Sequence, residues 1–280
     1  MTSWLTTRSP HFLLMILLLL LPGLGACGDS APVSEVQTQR AESGGEGTDG
    51  LDSGEEALPD VEAWGRVLDE FEVDGGLDYA GLKEAPEDLI RYLDGLASAR
   101  PEDSTRERQI AFWINAYNAF TAWEVMRRYP EIESVIQEDG FFDEDDRTVA
   151  GEDLTLNQIE QKGLALGDSR MHFAVVCAST GCPKLRGEPY RAETLEEQLA
   201  QQTESYLGDT EHGLRYDAGA GVLYLSSIFD WYAEDFGGDA VAWILPRLPE
   251  ELANRLRADE PEIRYLDYDW SLNYRPRPAS

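Results

Sequence analysis

The chain alternates between apolar stripes and polar punctuation in a way that predicts helices more often than strands. Val61, Trp64, Leu68 and Phe71 recur at helical spacing, so Val61 to Phe71 is predicted as a helix. Leu77 to Leu82 reads as a short turn. Pro86 opens a second helix whose stripe is Leu89, Ile90, Leu93 and Leu96, and Arg100-Pro101 closes it. The segment from about 104 to 129 is different. Its centre, Ile110 to Met126, is apolar nearly all round, which predicts a central helix buried on most sides and stopped by Pro130. Asn115 and Asn118 share one small, polar face of it. Thr148 to Ala150 is predicted as a strand, and the capping-box pattern Thr155-Leu-Asn-Gln158 opens a helix to Leu166.

The run Arg170 to Cys177 is apolar and β-branched and ends in a small-residue loop, which predicts a buried strand emptying at Cys177 to Pro183. Thr194-Leu-Glu-Glu197 predicts a second capping box and a helix to about Leu207. Leu214 to Tyr216 and Val222 to Leu225 flank a Gly-rich turn and read as a hairpin. Ser227 is expected to cap a helix through Trp231 to Asp235. A further helix begins at Val241, and Ile263 to Leu266 forms a last strand. The aromatic tail Tyr268 to Asn273 is expected to pack back on the body. The class is α+β: one helix-rich domain over 61–280, with a small mixed or antiparallel sheet.

The N-terminus changes the picture. Phe12 to Leu21 is an apolar run of about ten residues, too short to span a bilayer and suited to a signal peptide over 1–26. Leu24-Gly25-Ala26-Cys27 resembles a lipobox, which predicts a lipidated Cys27 carrying palmitate-type acyl chains. Residues 27–60 are small and acidic and are expected to be a disordered tether. Gly28 in place of an Asp after the Cys favours the outer over the inner membrane. A periplasm-facing envelope lipoprotein follows. The membrane is a partner through the anchor, and an envelope protein or small molecule is left unidentified. The net charge of −31, carried mostly after residue 60, repels phosphate backbones and disfavours nucleic acid.

Candidate chemistry gathers at 170–190. His172, Cys177 and Cys182 lie there, and His212 is the one other histidine after the leader. In an oxidising compartment Cys177 and Cys182, five apart across a turn, fit a disulfide. A cysteine nucleophile at Cys182 or Cys177 needs a base within about 3–3.5 Å. A regular strand would hold Cys177 about 16 Å from His172 and on the opposite face. A metal site would have to join His172 to the two cysteines and a carboxylate, at a looser spacing than usual. No metal and no cofactor is assigned. Asn115 and Asn118 either tie down loop backbone or line a binding site. Tyr190, Trp231, Tyr232 and Trp270 are either core aromatics or exposed binding aromatics.

Five blocks in order carry a resemblance: Ala111 to Asn118, Asp168 to Phe173, Cys177 to Pro183, Leu223 to Phe236 and Tyr268 to Asn273. Together they resemble the domain of unknown function numbered 547, over roughly 78–273. The resemblance implies no activity. It does single out Asn115, Asn118, Glu160, Arg170, His172, Cys177, Cys182 and Asp235. Glu160 joins the catalytic candidates, and Arg170 and Asp235 join Asn115 and Asn118 as binding candidates. A binding or scaffold module with its cleft at the 177–183 loop is the leading expectation. A cysteine-dependent hydrolase or transferase is the alternative.

Overall fold

In the computed structural model, which describes residues 58–144 and 147–278, helix α1 spans Val61–Phe71 as predicted. Asp60 caps it by accepting from the Glu62 N–H. The expected leader at 1–26, Cys27 and the tether up to residue 57 lie outside the described residues. Strands β1 (Glu72–Val73) and β2 (Gly76–Leu77) pair antiparallel. The expected turn at 77–82 is instead a short helix, α2 (Tyr79–Glu84), because the Asp78 carboxylate accepts from the Gly81 N–H and starts a turn. In α3 (Glu87–Ala97) the buried stripe is Leu89, Tyr92 and Leu96. The expected Ile90 lies a quarter-turn off that stripe and is exposed.

The central helix is α4 (Arg106–Arg128), capped by Thr105, and it is buried almost continuously from Ile110 to Met126. A helix apolar on every face needs neighbours on every side. Helices α2, α3 and α5 pack on it. The predicted strand near 148 is half of a hairpin, β3 (Arg147–Val149) with β4 (Glu152–Leu154). Ala150 and Gly151 turn it with positive φ. Glu152 and Asp153 hid β4 from the sequence pattern, since acids are poor strand formers. Arg147 is buried and pairs with Glu124 of α4 at 3.3 Å, which ties the hairpin to the central helix.

Both halves of the Thr155–Gln158 capping box form at the start of α5 (Leu156–Leu164). Beyond it the predicted strand does not form. Asp168 caps a 3-10 turn at Ser169–Phe173, and an irregular chain runs on to the cysteine loop. The physical reason is a side chain. The Asn118 amide donates to Ala174 O at 2.9 Å and accepts from Val176 N–H at 2.8 Å. It thereby supplies the pair of bonds that a neighbouring strand would have made.

Helix α6 (Leu195–Gly208) starts after a 3-10 turn. Thr194 makes no side-chain cap, so the second expected capping box is absent. Strands β5 (Leu214–Asp217) and β6 (Val222–Leu225) form the expected hairpin. Helix α7 covers only Ile228–Trp231. The Ser227 hydroxyl, expected to cap it, donates instead to Leu266 O. Helix α8 (Ala240–Ile244) is capped by Asp239. Helix α9 (Glu250–Asp259), too charged to show an apolar stripe, was not legible in the sequence. Strand β7 (Glu262–Tyr265) pairs parallel to β6, so the sheet is mixed. The architecture is α+β and helix-rich with small sheets.

Two apolar clusters form the interior. The first gathers α1 to α5 and the start of α6, and the second gathers the end of α6, β5, β6 and the helices after them. The 3-10 turn at 169–173 sits at their seam. Met171 belongs to the first cluster and Phe173 to the second, with His172 between. Tyr268 packs against both.

Candidate functional site

His172 is 3% exposed and is held between two carboxyl groups. Its Nε2 lies 2.8 Å from Asp235 Oδ2, and its Nδ1 lies 3.8 Å from Glu160 Oε1. Each partner comes from a different element. Glu160 projects from α5, on the face that buries Leu156, Ile159 and Gly163. Asp235 follows α7 in a run of turns that ends at Gly237-Gly238. Tyr232 lies against the imidazole at 4.1 Å between centroids, and Phe236 closes a second side at 5.4 Å.

Burial sets the electrostatics. Glu160, 9% exposed, has its carboxyl pushed up to about 7 by desolvation and then by the charge of Asp235. Desolvation lowers the His172 pKa against the opposing pull of Asp235. A neutral imidazole facing a carboxylate puts its proton on Nε2, donated to Asp235. The Nδ1 lone pair then faces Glu160. The Asp235 side chain is 45% exposed, so this chain of groups runs from the interior to solvent. Tyr117 and Tyr268 are pushed well above the usual phenol range, by burial first and in part by the charge of Glu160. Both stay protonated donors. Both lie in blocks that carry the family resemblance, but neither stood out as a site residue, because an interior tyrosine reads as core.

The two cysteines form a disulfide with a Cα separation of 6.4 Å. No regular strand separates His172 from Cys177, so the distance expected between them on that basis does not apply. Among the described residues neither sulfur is hydrogen-bonded to a histidine. The sulfurs contact Tyr268 instead, whose hydroxyl lies 3.1 Å from Cys182 Sγ and 3.5 Å from Cys177 Sγ. The segment 268–273 is a strap over the cysteine loop. Thr180 N–H donates to Ser271 O, Gly181 N–H to Asp269 O, and Asn273 N–H to Ala178 O.

Other candidates fall elsewhere. The Asn115 amide clasps the Tyr190 backbone, donating to its carbonyl at 2.8 Å and accepting from its N–H at 2.9 Å. Asn118 is spent on 174–176 in the same way. Both are buried clamps beneath the loops, the first of the two readings that the sequence left open. Arg170 forms forked bonds to Asp168 and Glu196, so its donors are committed to protein carboxylates. His212 pairs with Asp209 at 3.1 Å, apart from the His172 group. Tyr190 is buried, Tyr232 and Trp270 are half-buried, and Trp231 is exposed. Two concavities lie away from the 177–183 loop, where a cleft was expected. Concavities of about 280 Å³ between α1 and α3 and about 440 Å³ at the start of α4 are both lined by other residues. The strap lies against the loop, with Asp269 and Tyr268 nearest Gly181. Among the described residues no three His, Cys, Asp or Glu side chains are grouped to hold a metal ion. None of the described helices is long and apolar enough to cross a membrane.

The profile of a family described as "Protein of unknown function, DUF547" matches residues 101–207. That is narrower than the 78–273 stretch of the sequence resemblance. It takes in the central helix, Glu160, His172 and both cysteines, while Asp235 and the strap lie beyond it. No curated protein and no solved structure matches the chain.

Proposed function

We propose that the chain is an envelope-anchored acid–base enzyme, acting in hydrolysis or group transfer, with Glu160, His172 and Asp235 as its proton-handling groups. One observation carries this reading: a buried imidazole bridging a carboxyl poised near neutrality and a carboxylate open to solvent. Glu160 and His172, both shifted by burial and both facing charged partners, are the kind of groups that functional sites are built from. Glu160, half-protonated near pH 7, can give or accept a proton. Transfer onto His172 Nδ1 would leave an imidazolium stabilised by Asp235. Cys27 would carry the lipid anchor and residues 28–60 would space the domain from the membrane. The domain would face the periplasm, with the outer membrane favoured.

The test is a panel of chromogenic esters, amides and glycosides assayed with the wild type and with Glu160→Gln, His172→Asn and Asp235→Asn. Loss of a general acid–base group is expected to lower kcat by about 10²–10⁴-fold while the circular dichroism spectrum stays unchanged. Activity that survives Glu160→Gln would overturn the reading. A binding or scaffold role keeps one supporting observation, the exposed Trp231 stacked on Trp270 and packed on Tyr268. If no substrate in the panel turns over, this second reading gains ground. Fractionation of cells producing Cys27→Ser tests the anchor. Release from the membrane is expected, and unchanged retention would contradict it.

A further inference from the structure

We infer a second activity at the neighbouring loop: Cys177–Cys182 is an exchange-active disulfide that oxidises dithiols and is entered at Cys177. The case rests on an asymmetry between the two sulfurs. Cys177 is half-buried, whereas Cys182 is 8% exposed. An incoming thiolate therefore reaches Cys177 more readily. The sulfur that must leave, Cys182 Sγ, already receives two hydrogen bonds. The Cys177 backbone N–H donates to it at 3.1 Å and the Tyr268 hydroxyl at 3.1 Å. A sulfur in a closed disulfide is a weak acceptor, but a thiolate is a strong one, so these donors favour the reduced, ionised form. Cys177 Sγ has more distant partners, the Ser179 hydroxyl at 3.3 Å and Tyr268 at 3.5 Å. Burial keeps the Tyr268 phenol protonated and able to donate.

The loop does not need the disulfide to hold its shape. Asn118 fixes 174–176 from one side. The strap fixes Ala178, Thr180 and Gly181 from the other. A loop braced in this way can open and close its S–S bond without rearranging, as reversible exchange requires.

The step balances. One thiolate of a dithiol substrate attacks Cys177 Sγ, the Cys177–Cys182 bond breaks, and its electron pair leaves on Cys182 Sγ. The second thiolate of the same substrate then attacks the substrate sulfur of the mixed disulfide and expels Cys177 as a thiolate. The substrate loses two electrons and two protons. The protons pass through solvent to the two protein thiolates. A disulfide-bearing partner returns the pair to the closed form by the reverse sequence.

The experiment uses the full chain with dithiothreitol as the dithiol and no denaturant, with Tyr268→Phe alongside. Reduction is expected to be complete under excess reagent. Absorbance at 240 nm of the reduced protein is expected to show one thiolate forming below the ordinary value of about 8.5. Tyr268→Phe is expected to raise that value and slow reduction about tenfold, the effect of losing about 1.4 kcal/mol of leaving-group stabilisation. In Cys182→Ser, oxidised glutathione is expected to label Cys177. A pair that resists dithiothreitol in the native protein would overturn the proposal. So would two thiols of ordinary pKa in the reduced wild type, a measurement that needs no variant.

Discussion

Glu160 and His172 should leave opposite marks on the pH dependence of stability. An unfolded Glu loses its proton near 4.5, whereas folded Glu160 keeps it to about 7. Between those values the native state binds more protons, so the Glu160 contribution falls as pH rises through the window and is flat above it. Glu160→Gln imitates the protonated form. It is expected to abolish this decline and to be more stable than the wild type above pH 7, by on the order of 3 kcal/mol. Thermal melts of the two proteins from pH 4 to 8 check this, and parallel curves would contradict it. His172 acts in the other direction. Its pKa is lowered in the fold, so its contribution is lost as pH falls below about 6.5 toward the folded value. His172 stood out as one of two histidines after the leader, and Glu160 and Asp235 through a family resemblance, each as a separate residue. Sequence alone could not show them meeting, because α5, the 3-10 turn and the run after α7 converge only through tertiary packing.

At the level of elements, two amides do the work of missing strands. Asn118→Ala would orphan Ala174 O and Val176 N–H, both held away from water, and is expected to cost about 2–5 kcal/mol in urea unfolding. A loss under about 1 kcal/mol would mean that water or a neighbour replaces the clamp. Gly181 is where the strap passes close over the cysteine loop. A Cβ there would lie 2.9 Å from Asp269 N and 3.1 Å from Asp269 O, both backbone atoms that cannot swing aside. Gly181→Ala is therefore expected to cost about 1–3 kcal/mol and to shift Tyr268 from the sulfurs, read as a changed near-ultraviolet spectrum. Helix α1 was legible because its burial follows the helical period, and α4 because a long run apolar on every face must be buried on every side. The run 170–177 was misread because β-branched composition reports burial rather than hydrogen-bond partners. Here the partners came from a side chain distant in sequence.

Across the whole molecule the candidate site lies where two apolar clusters meet, bridged by Tyr268 from the C-terminal strap. Deleting residues 268–280 would expose the Thr180 and Gly181 N–H groups and uncover both clusters at once. The truncated protein is expected to melt at least 10 °C lower and to bind a hydrophobic dye, as loss of several kcal/mol from a domain of this size implies. A melting temperature within a few degrees of the wild type would show that the strap is dispensable. The fold class was legible because pattern and composition act locally. The seam was not, since it depends on how the clusters share the turn at 169–173. The decisive observation is the titration of the Glu160 carboxyl itself, followed by carbon-13 NMR in the wild type and in Asp235→Asn. A midpoint near 7 that moves down when the Asp235 charge is removed is the expected result. A Glu160 that titrates below about 5 in both proteins would contradict the proton chain on which the proposed chemistry rests.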